Sequence, residues 1–165
     1  NSCTTKLAIC KGTIMRGILF RGKRKDNGEW VYGDLIKNLI YDGREKEIRI
    51  GDIYFEHNGD IHGTAVREVI PETVGQFTGL CDKNDNKIFE GDIIHIKCGY
   101  GFSAFVGKGI VFFDEKRSQF RVKSVKPSSF DSEKGNVYDE CDFTVIDSYE
   151  VIGNIYENPE LLEEL

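Results

Sequence analysis

Residues 16–37 read RGILFRGKRKDNGEWVYGDLIK, and this stretch decides the fold. Apolar and polar side chains alternate on both sides of Asn27-Gly28, which is the period of strands with one face turned inward. Asn-Gly accepts the positive φ angles of a tight type I′ turn. A two-residue loop there predicts a register in which Asp26 faces Glu29, Lys25 faces Trp30, Lys23 faces Tyr32 and Arg21 faces Asp34. Phe20 then lies opposite Leu35, with Ile18 and Val31 nearby, and this is the predicted inner face.

The same pattern recurs downstream. Strands are expected at 48–57 and 60–69 around Asn58-Gly59, and a third reversal at 82–87 precedes a strand at 91–97. Further strands are expected at 105–113, 119–123, 143–146 and 150–156. Residues 124–141, rich in Ser, Lys, Asp and Gly and containing Pro127, read as a long surface loop. Asn158-Pro159-Glu160 ahead of two leucines predicts a capped, short C-terminal helical turn. A Gly-Asp-aliphatic step appears at Gly33-Asp34-Leu35, Gly51-Asp52-Ile53 and Gly91-Asp92-Ile93, too unevenly spaced for a solenoid. The fold class is therefore mainly β.

Residues 1–14 show neither strand nor helix spacing, and the only methionine is Met15, where the pattern begins. We expect Met15 to be the natural start and 1–14 to be vector-derived or an upstream extension. The net charge of −6 argues against a generally basic nucleic-acid or membrane-surface binder. No apolar run reaches the roughly 18–20 residues needed to span a bilayer. Five cysteines without a CxxC pair, and no visible secretion signal, point to reduced thiols in a cytoplasm.

Three segments carry a family resemblance. Residues 15–33 (MRGILFRGKRKDNGEWVYG), 71–94 (PETVGQFTGLCDKNDNKIFEGDII) and 151–162 (VIGNIYENPELL) are similar to the opening, centre and end of YopX family proteins. The resemblance implies a phage- or prophage-encoded protein of a bacterial cytoplasm. It also implies an SH3-like barrel or roll across roughly 71–157, with the earlier hairpins packed on it. The corresponding division is an N-terminal hairpin region at 15–70 and a barrel region at 71–165. The family carries no activity or catalytic residue onto this chain.

Among candidate sites, Arg21, Lys23, Lys25, Trp30 and Tyr32 share one face of the first hairpin. Rings interleaved with cations suit stacking and pairing with single-stranded nucleic acid. The competing reading is structural, with cross-strand cation–aromatic pairs and lysine stems covering the rings.

Other constellations are weaker. His57, Asp60 and His62 around Asn58-Gly59 supply too few ligands for a metal. Asp82, Asn84 and Asn86 alternate like a calcium loop, but Lys87 replaces the required glycine and Ile93 the closing glutamate. The glycine-rich run 99–109 lacks the lysine-hydroxyl ending of a phosphate loop. His95, Cys81 and Cys98 lie near one another in sequence, but His95 and Cys98 differ in strand parity and point to opposite faces unless a bulge intervenes.

The expectation is a non-enzymatic β binding module acting on an unknown host or phage protein. It carries no cofactor, metal or membrane association, and it self-associates as a homo-oligomer. The second reading is a nucleic-acid-binding accessory protein that uses the first-hairpin face.

Overall fold

The structure is a computed structural model describing residues 17–37, 48–55, 61–98, 105–125 and 140–163. Residues 1–14, the Asn58-Gly59 turn with His57 and Asp60, the 99–104 run and 126–139 lie outside the described residues. The described chain is mainly β, antiparallel strands linked by short 3-10 turns. It divides into two compact units between Phe77 and Thr78.

The N-terminal unit holds β1 (Phe20–Lys23), β2 (Trp30–Lys37), β3 (Ile48–Phe55) and β4 (Ile61–Glu68) in spatial order β4-β3-β2-β1. The first residues of β5 (Gly75–Cys81) pair with the free side of β1, Arg21 opposite Gly75. The first hairpin departs from the predicted register. Its ladder sets Lys23 opposite Trp30, Arg21 opposite Tyr32 and Phe20 opposite Gly33. The loop is wider because Arg24 N–H donates to the Glu29 carbonyl at 2.8 Å and Gly28, at φ +74°, donates to Arg24 at 3.0 Å. Asn27 Oδ1 accepts the Glu29 N–H, and the Arg24 guanidinium pairs with Asp26 and Glu29 across that loop. The slip is two residues, so every side chain keeps its face.

The predicted inner face of this hairpin departs at Ile18 alone, since Phe20, Val31 and Leu35 share the face that carries Gly22 and Ile50. Ile18 lies ahead of β1 and is 62% exposed, while Phe20, Val31 and Leu35 are half-buried. The buried centre is Ile50 and Val69, which pack against Gly22 of β1. A Cβ at Gly22 would stand 3.1 Å from Ile50 Cδ1. The Gly-Asp steps at 33 and 51 lie inside β2 and β3, facing each other, with Asp34 opposite Gly51. They are a site of close backbone approach, since a Cβ on Gly33 would sit 2.9 Å from the Gly51 carbonyl carbon. The 3-10 turn Pro71–Thr73 is tied to β1 through the Lys23 N–H, which donates to Thr73 Oγ1 at 2.8 Å.

In the C-terminal unit, the end of β5 forms a hairpin with β6 (Lys87–Phe89) through 82–86. A five-stranded sheet follows: β7 (Asp92–Cys98), β8 (Phe105–Asp114), β9 (Gln119–Val125), β10 (Glu140–Asp142) and β11 (Ser148–Asn154). Its order is β10-β9-β8-β7-β11, so the last strand returns beside the first. Among the described residues no ladder joins β10 to β11, and the sheet is open rather than a closed barrel.

The core of this unit is Ile88, Ile94, Ile96, Val111, Val122, Phe143, Ile146 and Tyr149. On β7 the parity holds from Ile94 onward, with Ile94 and Ile96 buried and His95 and Lys97 exposed, while Asp92 and Ile93 at its start are both buried. Phe143 and Tyr149 meet edge to face at 5.5 Å.

Four sequence expectations change here. The strand predicted at 143–146 is a 3-10 turn, Phe143–Val145, with Phe143 and Ile146 both buried and Val145 59% exposed. Three residues per turn puts 143 and 146 on one side, which a strand cannot do. The predicted 124–141 loop is trimmed at both ends, because Ser124 and Val125 extend β9, and Glu140 and Cys141 belong to β10. Pro159–Leu162 forms a 3-10 turn without a side-chain cap, and Asn158 Oδ1 instead accepts the Asn154 N–H at 3.3 Å. Cys81 is disulfide-bonded, against the expectation of reduced thiols, and its partner is not among the described side chains. Sequence spacing carries no information on Cα–Cα distance, which decides such a bond.

Candidate functional site

The first-hairpin face is built by β1 and the start of β2. Cross-strand pairing brings Lys23 to Trp30 and Arg21 to Tyr32, so four of the five predicted residues share one patch. The Arg21 guanidinium carbon lies 4.7 Å from the Trp30 ring centre and Lys23 Nζ 5.6 Å from it. The indole thus lies within cation–π reach of two cations.

Arg21 is only 7% exposed, whereas Tyr32 is 53% exposed. Arg21 is buried because β1 has a neighbour on each side and one of them presents Gly75, which has no side chain to hold it out. Lys25 is the residue set apart: it lies in the loop and forms an ion pair with Glu68 of β4. The patch therefore shows solvent the Tyr32 ring beside a half-buried Trp30, with one of its cations folded inward.

The remaining predicted groups fall into separate places. His95 is exposed on β7, in register between Glu150 of β11 and Lys108 of β8. Asp82, 1% exposed, uses both carboxylate oxygens as acceptors. Oδ1 receives the Asn84 and Asn86 N–H groups at 2.8 and 2.9 Å, and Oδ2 receives Asn86 Nδ2 at 3.0 Å and the Val151 N–H at 3.1 Å. Burial alone would raise this carboxyl, but the donors of Asn86, Val151 and Asn84 outweigh it and hold its pKa below the usual carboxylate value. The Asp82 oxygens that looked like calcium ligands are thus spent on N–H groups, and the Asn84 and Asn86 side chains act as donors.

Sequence reasoning missed the densest charged cluster among the described residues. Arg121 of β9, 7% exposed, donates to Asp142 Oδ1 at 2.7 Å, Glu140 Oε2 at 2.6 Å and Asp114 Oδ2 at 3.2 Å. Hydrogen bonding to Asp142, then to Asp114, raises the Arg121 pKa above its ordinary value. Arg117, bonded at 2.8 Å, leads in lowering that of Asp114. Only the pairing of β10 with β9 places Asp142 opposite Arg121, and those positions are 21 residues apart in sequence. No local signal announces such a contact.

Fold and surface define the class: an antiparallel β protein of two units, in which buried charges serve turns and cross-strand pairs. The sequence matches the family model for YopX protein over residues 19–163, and the chain belongs to the YopX family. It is similar in fold to the crystal structure of protein EF1440 from Enterococcus faecalis, with 24% identity and a TM-score of 0.51. That match covers 90% of this chain and 99% of the other. No match was found among curated proteins.

Proposed function

We propose that this protein is a non-enzymatic protein-interaction module, phage- or prophage-encoded and acting on a host or phage protein in the bacterial cytoplasm. The observation that carries the reading is the strand order of the C-terminal sheet, in which β11 returns beside β7. An SH3-like roll has this order, with a 3-10 turn before its last strand, as Phe143–Val145 stands here before β11. Folds of that kind serve mainly as binding modules, and this inference is one of analogy. We place the contact at that turn, where Val145 is 59% exposed.

The test is partner capture with two variants. Val145→Glu is expected to weaken capture at least tenfold, whereas Tyr32→Ala on the other unit leaves it unchanged. Equal capture by Val145→Glu would refute the placement. Self-association belongs to this reading, and light scattering that shows a monomer at every concentration would remove it. The Cys81 disulfide stands against a reducing compartment. A cytoplasmic location therefore requires that thiol labelling of native cell extract find this bond reduced, and its retention there would overturn the location.

The nucleic-acid reading keeps one specific support, the exposed Tyr32 beside Lys23 and Trp30. The burial of Arg21 weakens it by removing a cation from the surface.

A further inference from the structure

The β5–β6 hairpin tip makes contacts that its own turn does not need. An isolated Asx-type turn would use Asp82 to bind Asn84 and Asn86, as it does here. Asp82 Oδ2 also reaches Val151 N–H of β11 at 3.1 Å, across 69 positions of sequence. Two more contacts go to the same strand: Lys83 Nζ to Glu150 Oε2 at 2.7 Å and Asn84 Nδ2 to Glu150 Oε1 at 3.1 Å.

β11 is a terminal strand of its sheet, paired on one side by β7. The ladder to β7 shifts register between Val151 and Gly153, at the point where Asp82 takes the Val151 N–H. Farther along, the Asn154 N–H is taken by Asn158 Oδ1. A terminal strand offers unpaired N–H and C=O groups to any other chain, and a covering loop is one way to deny them.

We propose that the 82–86 tip is a clasp that closes β11 against strand addition, held by Asp82 inside and by Glu150 outside, and that it opens without unfolding the sheet. The two anchors differ in character. Asp82 is sealed from water, whereas Lys83 and Glu150 are 59% and 36% exposed, so the outer anchor is the weaker.

Amide hydrogen exchange on the full chain tests this. Asp82→Asn keeps the size but loses the charge that draws the N–H groups, and it is expected to speed Val151 exchange at least tenfold while the Val111 and Val122 amides keep their rates. Glu150→Gln removes only the outer anchor, so it remains informative should Asp82→Asn fail to fold. It is expected to speed Val151 exchange two- to fivefold. Unchanged Val151 exchange in both variants, or equal acceleration of Val151, Val111 and Val122, would overturn the clasp.

Discussion

At the scale of single residues, the hairpin face shows how burial redirects a functional-looking group. Arg21 belongs to a pattern that suits nucleic acid, yet it lies against Trp30 with little surface of its own. Trp30→Ala is expected to cost the N-terminal unit about 2 kcal/mol, the sum of a half-buried ring and a cation–π contact. Urea denaturation followed by circular dichroism measures it, and a loss near zero would show that the pair does not support the hairpin. Gly153 makes a second case. A Cβ there would meet Asn158 Oδ1 at 2.5 Å and Leu161 Cδ1 at 2.9 Å. Gly153→Ala should therefore displace the 159–162 turn and cost about 1–2 kcal/mol by overpacking, read as lost protection of the Leu161 amide.

At the scale of elements, the charged side chains couple strands that are distant in sequence. Arg121 joins β9, β10 and the end of β8 through three carboxylates. Arg121→Met removes the charge while keeping bulk, and leaves those carboxylates near one another without a counter-charge. We expect a loss of about 2 kcal/mol, below the cost of breaking a sealed pair because Glu140 and Asp142 keep contact with water. Thermal denaturation measures it, and a gain in stability would contradict the network's role.

Legibility follows the same division. Alternation of residue types revealed β1, β2, β7 and β8, although β1 buries the successive Arg21 and Gly22 and β7 begins with three buried residues, Asp92, Ile93 and Ile94. β5 buries Gly75, Thr78 and Cys81, a spacing of three, so alternation is absent from it. The hairpin face could be read because a two-residue slip preserves facing. Its register could not, because an Asn-Gly pair does not reveal that Arg24 bridges to Asp26 and Glu29. The Arg121 cluster depends on β9–β10 pairing across a long sequence gap, which leaves no local trace.

At the scale of the molecule, net charge and acid sensitivity belong together. Asp26 is held low chiefly by Arg24, Asp114 chiefly by Arg117 and Glu150 chiefly by Lys83, while N–H donors hold Asp82 low against its burial. All four therefore have folded pKa values below their unfolded ones. Their stabilisation is complete above the unfolded carboxylate range, near pH 4, and is lost as pH falls through the lowered folded values. The melting temperature is expected to stay level from pH 7 to about 5 and then to fall steadily towards pH 3. A melting temperature that rises on acidification would contradict these assignments.

The central claim is that the C-terminal sheet, through its 3-10 turn, meets a protein partner. Site-specific photo-crosslinking tests it most directly, with the crosslinker at Val145 in one sample and at Tyr32 in another, in the bacterial host. The account predicts one discrete protein adduct from Val145 that the Val145→Glu chain, added in excess, does not suppress and that the unmodified chain does. Nucleic-acid adducts from Tyr32 with no protein adduct from Val145 would contradict it.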